Sequence, residues 1–254
     1  MWVAAASVLG PGLPGWESSL PVLRGEAAWA DAPLTLPPPA ALPPTERRRT
    51  SQAVRLALAV GTEAASLSGL APDSLDTVFA SSNGDGQVVG SILEELSRPD
   101  GAISPTQFHN SVHNAAAGYW GIAVGSTRPS VSVGGYDDSV ATGLLTAASH
   151  VAARRVPTLL VAYDAPLTEP LASVRATGCP FAAALVLTPA PGGRVALDVE
   201  TSPDEAALPQ GPVATRNPAA RLLPVLEALA RGRAARLALP LMDGGSLAVS
   251  VIPC

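Results

Sequence analysis

The chain has 254 residues, a formal net charge of −5 and only 16 lysines and arginines, and 47% of its residues are apolar. That length allows a sizeable core, and no basic stripe or aromatic-plus-basic cluster offers a footprint for nucleic acid. Two cysteines, Cys179 and Cys254, make neither a disulfide framework nor a metal pattern, which suits a reducing cytoplasm.

No apolar run reaches the length of a membrane span. The first residues, MWVAAASVLGPGLPG, are apolar but lack a positive leader and are interrupted early by Pro and Gly. They read as a buried strand, Trp2–Leu9, bounded by Gly10-Pro11-Gly12. Residues 31–44 form a proline-rich extended connection. Thr45 is placed to cap a helix over about Glu46–Ser68, with Val54, Leu58 and Ala65 on its apolar stripe and Gly69 ending it. Arginines 47–49 oppose the helix dipole there and read as a solvated entry. Thr77–Ser81 is a second strand, and Asn83-Gly84-Asp85-Gly86 leads into a helix over Gln87–Leu96. Its glycines fit neither a dinucleotide fingerprint nor a phosphate loop, and no lysine follows them.

Ser104–Gly125, SPTQFHNSVHNAAAGYWGIAVG, carries two of the three histidines, His109 and His113, each followed by an asparagine. A helix of small residues closes the stretch, with Tyr119 and Trp120 on it. Then come a strand Ser130–Val133, a helix Asp138–Ala153 with Asp138 as its cap, and strands Thr158–Tyr163, Phe181–Leu187 and Val195–Val199. Asn217-Pro218 opens a helix to about Arg231. Arg236–Pro240 and Leu247–Ile252 pair as a hairpin through Asp243-Gly244-Gly245. This alternation predicts an α/β fold, a mostly parallel or mixed sheet covered by helices.

The strand-to-helix turn after Gly134-Gly135 is where an α/β enzyme places a nucleophile, because the helix dipole there favours an anion. Here the turn holds Tyr136, Asp137 and Asp138, none of them a thiol. Ser139 follows without the G-x-S-x-G frame. His109 and His113, four apart, would present two imidazoles to a metal if helical, with Asp137 and Asp138 as the nearest further donors. The same residues equally serve to satisfy buried backbone groups in a crowded loop.

The segments SPTQFHNSVHNAAAGYWGIA, VSVGGYDDSVATGLLTAA, LLVAYDAP and CPFAAALVLTP together resemble the N-terminal half of the β-ketoacyl synthases, a thiolase fold. The likeness is to the short β-ketoacyl synthase-like branch that includes chain-length-factor partners from aryl polyene and xanthomonadin-type pigment clusters. It covers residues 1–200, leaving 201–254 as a helix-and-hairpin extension packed on that half. The resemblance implies a cysteine at the elbow and two histidines in a second half. Here the elbow falls on Tyr136 or Asp137, and no histidine follows the half-fold. Cys179 lies before a strand, away from the elbow, and reads as a small core residue.

A condensation needs a thiolate to hold the acyl chain and donors for the enolate. The resemblance therefore implies a non-catalytic subunit. It would pair with a full-length β-ketoacyl synthase, serve intermediates on an acyl carrier protein, and need no cofactor or metal. It would place Phe108, His109, Asn110, Ser111, Val112, His113, Asn114, Tyr119 and Trp120, with Tyr136 and Asp137, at the partner interface or tunnel wall. Two alternatives stay open: a thioester acyltransferase or hydrolase using His109 or His113, and a homodimeric acyl-binding scaffold.

Overall fold

Strand β1 (Trp2–Leu9) opens the computed structural model, which describes residues 1–175, 177–191 and 195–253; Cys254 lies outside the described residues. Helix α1 (Trp16–Arg24) follows, and the sequence reading missed it. Pro14, Gly15 and Pro21 are local turn signals, but a distant group overrides them. The Trp16 amide donates to Glu63 Oε1 at 2.9 Å, so a carboxylate from another helix anchors the first turn. The other oxygen of Glu63 accepts from the buried Ser7 hydroxyl of β1.

The expected helix over Glu46–Ser68 is two helices, α2 (Pro44–Arg47) and α3 (Gln52–Ser68). Ser51, not Thr45, is the cap of the long one, accepting from the Val54 amide at 3.2 Å. Arg47 is no solvated entry either: its guanidinium donates to the Ala40 and Leu42 carbonyls at 3.0 Å, tying down the proline-rich connection. Gly69 ends α3 in the left-handed conformation, as expected.

Strand β2 (Asp76–Ala80) leads to α4 (Gly86–Leu96), α5 (Pro105–Asn110) and α6 (Ala115–Val124). Then follow β3 (Ser130–Val133), α7 (Ser139–Arg154), β4 (Thr158–Asp164), the short α8 (Leu171–Val174), β5 (Phe181–Thr188) and β6 (Val195–Ser202). A 3₁₀ turn over Pro218–Leu222 runs into α9 (Leu223–Arg231), and β7 (Ala235–Pro240) and β8 (Ser246–Pro253) close the chain as the expected hairpin. None of the described helices is long and apolar enough to cross a membrane.

The described strands form one sheet in the order β3-β2-β4-β5-β1-β6-β8-β7. It is mixed, one of the two arrangements expected: β2 runs parallel to β3 and β4, while the other adjoining pairs are antiparallel. Alternating helices dictate parallel crossovers only where they separate neighbouring strands, as between β2, β3 and β4. The first strand instead slots between two late ones, β5 and β6. The 201–254 segment extends the same sheet through β8 and β7.

The two faces sort residues by strand period. Along β4, Leu159, Val161 and Tyr163 pack towards α3 and α6, whereas Leu160 and Ala162 pack towards α7 and α9. That is why β4 and β5 are continuous apolar runs. Gly143 lets α7 lie close on the sheet; a Cβ there would come within 2.6 Å of the Ala80 Cβ.

At the opposite end of β2, Asp76 is fully buried and pairs with Arg128 at 2.7 Å and Arg154 at 2.6 Å. One carboxylate thus joins the approach to β3 and the end of α7 to the central sheet. Asp76→Ala leaves two partly desolvated arginines without a counter-charge, and urea titration should show a loss of about 3 kcal/mol. Arg154→Ala alone should cost less, because Arg128 still neutralises Asp76.

Candidate functional site

The carboxyl ends of the parallel strands β2, β3 and β4 meet at one end of the sheet, the usual site position in such folds. After β3, Gly134 and Gly135 lead to Tyr136, whose φ of 52° lies in the left-handed region. A non-glycine residue held there costs about 1–2 kcal/mol. The elbow conformation therefore falls on Tyr136, and Asp137 and Asp138 follow it into α7.

Ser139 holds that conformation. Its hydroxyl accepts from the Gly135 amide at 2.9 Å and donates to the Tyr136 carbonyl at 2.6 Å. Buried and committed on both sides, it is a staple and not a nucleophile. Asp138 sits at the cap position, yet its side chain makes no capping bond; it pairs with Arg221 instead, which corrects the expected cap.

Arg175, from the β4–β5 connection, crosses the elbow. Its guanidinium lies 3.6 Å from the centre of the Tyr136 ring, pairs with Asp137, donates to Ser82 Oγ, and reaches Asn83 Oδ1 at 2.7 Å. Arg221 also approaches Asp137, at 3.5 Å. Beneath them lies Asp164, wholly buried at the end of β4. One of its oxygens accepts from Ser81 Oγ at 2.8 Å and from the Ser82 and Asn83 amides at 3.0 Å. The other has no hydrogen-bond partner among the described residues. Burial pushes this carboxyl up to about 7, against the lowering effect of those donors and of Arg175. Asn217, the expected cap of the 3₁₀ turn, also ties the Asp164 carbonyl to that of Cys179, at 2.9 and 2.7 Å.

The histidine stretch resolves into two helices with a break. Ser104 and Gln107 form a reciprocal capping box on α5, with Pro105 at its first position. His109 packs edge-to-face on Tyr119, with ring centres 6.0 Å apart. His113 lies past the end of α5, its Nε2 at 3.1 Å from the Ser81 carbonyl, which assigns the proton to that nitrogen. The two imidazoles therefore leave in different directions. Among the described residues, no three His, Cys, Asp or Glu side chains gather as a metal site.

Burial divides the remaining candidates. Tyr119 and Trp120 belong to the core at 1% and 2% exposure, and Asn110 at 3% links the Tyr119 hydroxyl to the Arg49 carbonyl. The side chains of these three are spent inside the chain. Phe108, Val112 and Tyr136 are exposed at 68%, 46% and 63%. His109, His113 and Asn114 are also exposed, and Ser111 is half-buried and bonded to the Phe108 carbonyl. Cys179 is buried in the core, where desolvation pushes its thiol up.

A cavity of about 210 Å³ lies beside the elbow, between Tyr136, Arg175, Arg216 and Arg221. A larger open cleft of about 1030 Å³ lies away from it, between β1, α1 and α9. Among the described residues, the Tyr136 hydroxyl makes no hydrogen bond to a base. Sequence reading missed Ser82, Asn83, Asp164, Arg175 and Arg221. The strand ending in Asp164 was legible, but the partners lie up to 93 residues apart and carry no local signal.

A mixed sheet covered on both faces, with a strained strand-to-helix elbow at the ends of its parallel strands, is a thiolase-like fold. The chain belongs to the family described as "Beta-ketoacyl synthase, N-terminal domain", whose model matches residues 24–241. Three solved structures share the fold along nearly their whole matched chains. One is the ketosynthase (ApeO) in complex with its chain length factor (ApeC) from Xenorhabdus doucetiae, at 23% identity over 98% of this chain and 99% of that one, with a TM-score of 0.73. Another is the ishigamide ketosynthase/chain length factor, at 13% identity over 99% of each chain and a TM-score of 0.75. The third is AntDE:AntF, a type II PKS acyl-carrier protein in complex with its ketosynthase bound to the hexaketide, at 11% identity over 100% of this chain and 99% of that one, with a TM-score of 0.77. No curated protein matches the sequence.

The elbow staple is testable. Ser139→Ala removes both bonds that hold Tyr136 in its left-handed conformation, and thermal unfolding should report a loss of about 2 kcal/mol.

Proposed function

We propose that this chain is a non-catalytic, chain-length-factor-like subunit that pairs with a full β-ketoacyl-acyl-carrier-protein synthase and shapes its acyl tunnel. The observation that carries the reading is the elbow. Its tip is Tyr136, Ser139 is consumed as a staple, and Asp137 and Asp138 are consumed as ion pairs. A thiolate is what acyl transfer at this position needs, and none stands there. Membership of the family and the shared fold with ketosynthase and chain-length-factor complexes support the same reading.

Wall-building needs bulk and no proton transfer. Phe108, His109, Val112 and His113 present that bulk on the exposed side of the α5–α6 link, and exposed aromatic residues are favoured at interfaces. In this reading the partner's growing chain, delivered on an acyl carrier protein in the cytoplasm, meets that surface. The product class is a polyene or fatty-acid-like chain. The hydrolase alternative is disfavoured, because His113 is engaged by a backbone carbonyl and His109 by the Tyr119 ring.

Co-expression with a ketosynthase encoded beside it, followed by light scattering on the purified material, tests the pairing. A one-to-one complex is expected. A chain that is stable and monodisperse by itself and never co-purifies with that neighbour overturns the reading, and a stable homodimer would select the scaffold alternative.

A further inference from the structure

Asp164 is a fully buried carboxyl at the elbow end of the sheet, and the acyl-tunnel reading makes no use of it. Its position is a junction. Through one oxygen it holds the 81–83 loop by three donors. Two residues of that loop, Ser82 and Asn83, in turn hold the Arg175 guanidinium by their side chains. Arg175 then holds the Tyr136 ring and the Asp137 carboxylate. The backbone carbonyl oxygen of Asp164 adds Asn217 as a donor, and with it the turn that carries Arg221 to Asp137 and Asp138. Every link from Asp164 to the elbow is thus a named bond.

We propose that Asp164 is a proton-responsive pin, whose ionisation sets how firmly Arg175 grips the elbow. The geometry makes both of its states consequential. When ionised, the carboxylate is a strong acceptor for the Ser82 and Asn83 amides and a counter-charge for Arg175, but its second oxygen is buried with no donor among the described residues. When protonated, it loses the charge, accepts those amides more weakly, and leaves the Arg175 guanidinium to Asp137 and the loop side chains alone. One nitrogen of Arg175, Nη1, is likewise buried without a partner among the described residues.

Several other titratable and charged groups surround this junction. Tyr163 precedes Asp164 on β4 and feels its charge, and Asp85 acts on Tyr163 from the start of α4. Asp137, Asp138 and Arg221 lie on the elbow side. His113 meets the Ser81 carbonyl from the α5–α6 link, and Cys179 shares Asn217 with Asp164. Burial is the largest influence on Asp164 and raises its carboxyl from 3.8 to about 7, within the range a cell visits.

Because the folded carboxyl titrates higher than the unfolded one, the folded state binds more protons between those values. The stabilising contribution of neutral Asp164 is complete below about 3.8 and is lost as pH rises through about 7. The grip of Arg175 runs the other way, tightening as Asp164 ionises.

The test is a pH titration of the isolated full chain by nuclear magnetic resonance, following the Asp164 carboxyl carbon and the Arg175 Nε–H group together. Coincident midpoints near neutral pH are expected, with the Arg175 titration absent in Asp164→Asn and retained in His113→Asn. The wild-type measurement stands even where a variant fails to fold. An Asp164 signal that titrates only below pH 5, or an Arg175 signal that stays flat across the Asp164 transition, overturns the proposal. So does an Arg175 titration that survives in Asp164→Asn, or one that vanishes in His113→Asn, which would make His113 the sensor. None of these outcomes depends on whether the chain pairs with a ketosynthase.

Discussion

The Arg175 guanidinium joins three stretches of chain that the sheet alone leaves as separate loops: the 82–83 loop after β2, the elbow after β3, and its own connection between β4 and β5. Arginine suits the task, because its planar fork donates in several directions while its face stacks on an aromatic ring. The Arg175 side chain is 17% exposed and that of Asp137 38%, so the pair lies at the edge of solvent, and the hold on the elbow rests on the Ser82, Asn83 and Tyr136 contacts as much as on the charge pair. The left-handed Tyr136 persists because Ser139 and Arg175 hold it from below and from the side.

That arrangement has a chemical consequence. In a nucleophile elbow, strain presents a reactive atom to substrate while neighbouring groups activate it. Here the strain is kept, but the neighbouring polar groups are turned inward and bonded to one another. The hydroxyl of Ser139, the carboxylates of Asp137 and Asp138, and the imidazole of His113 all have internal partners. What remains outward is bulk: the Tyr136 ring, and on the nearby helical link Phe108 and Val112. A surface of this kind constrains a neighbour by shape.

Much of the fold was legible because it rests on local rules. The continuous apolar runs of β4 and β5, the Asn217-Pro218 start and the Asp243-Gly244-Gly245 hairpin each carry their signal within a few residues. The parts that escaped depend on distant groups. Helix α1 owes its first turn to Glu63, the sheet owes two of its antiparallel pairings to the insertion of β1 between β5 and β6, and the elbow owes its clamp to Arg175, 38 residues beyond Asp137. Tyr119 and Trp120 show the limit of motif reading. They lie in the most distinctive stretch of the sequence, yet Trp120 fills the space beside Gly61 of α3 and serves the core. In the same stretch, His109 and His113 have the spacing of a metal pair, but the helix ends between them.

The central claim is that this elbow does not carry acyl groups. Intact-protein mass spectrometry of the chain, alone and mixed with a ketosynthase encoded beside it, after incubation with an acyl thioester, reads that directly. The account predicts an acyl adduct on the ketosynthase only, with the mass of this chain unchanged. An adduct on this chain, mapped to Tyr136, Ser139 or either histidine of the 109–113 stretch, would contradict it.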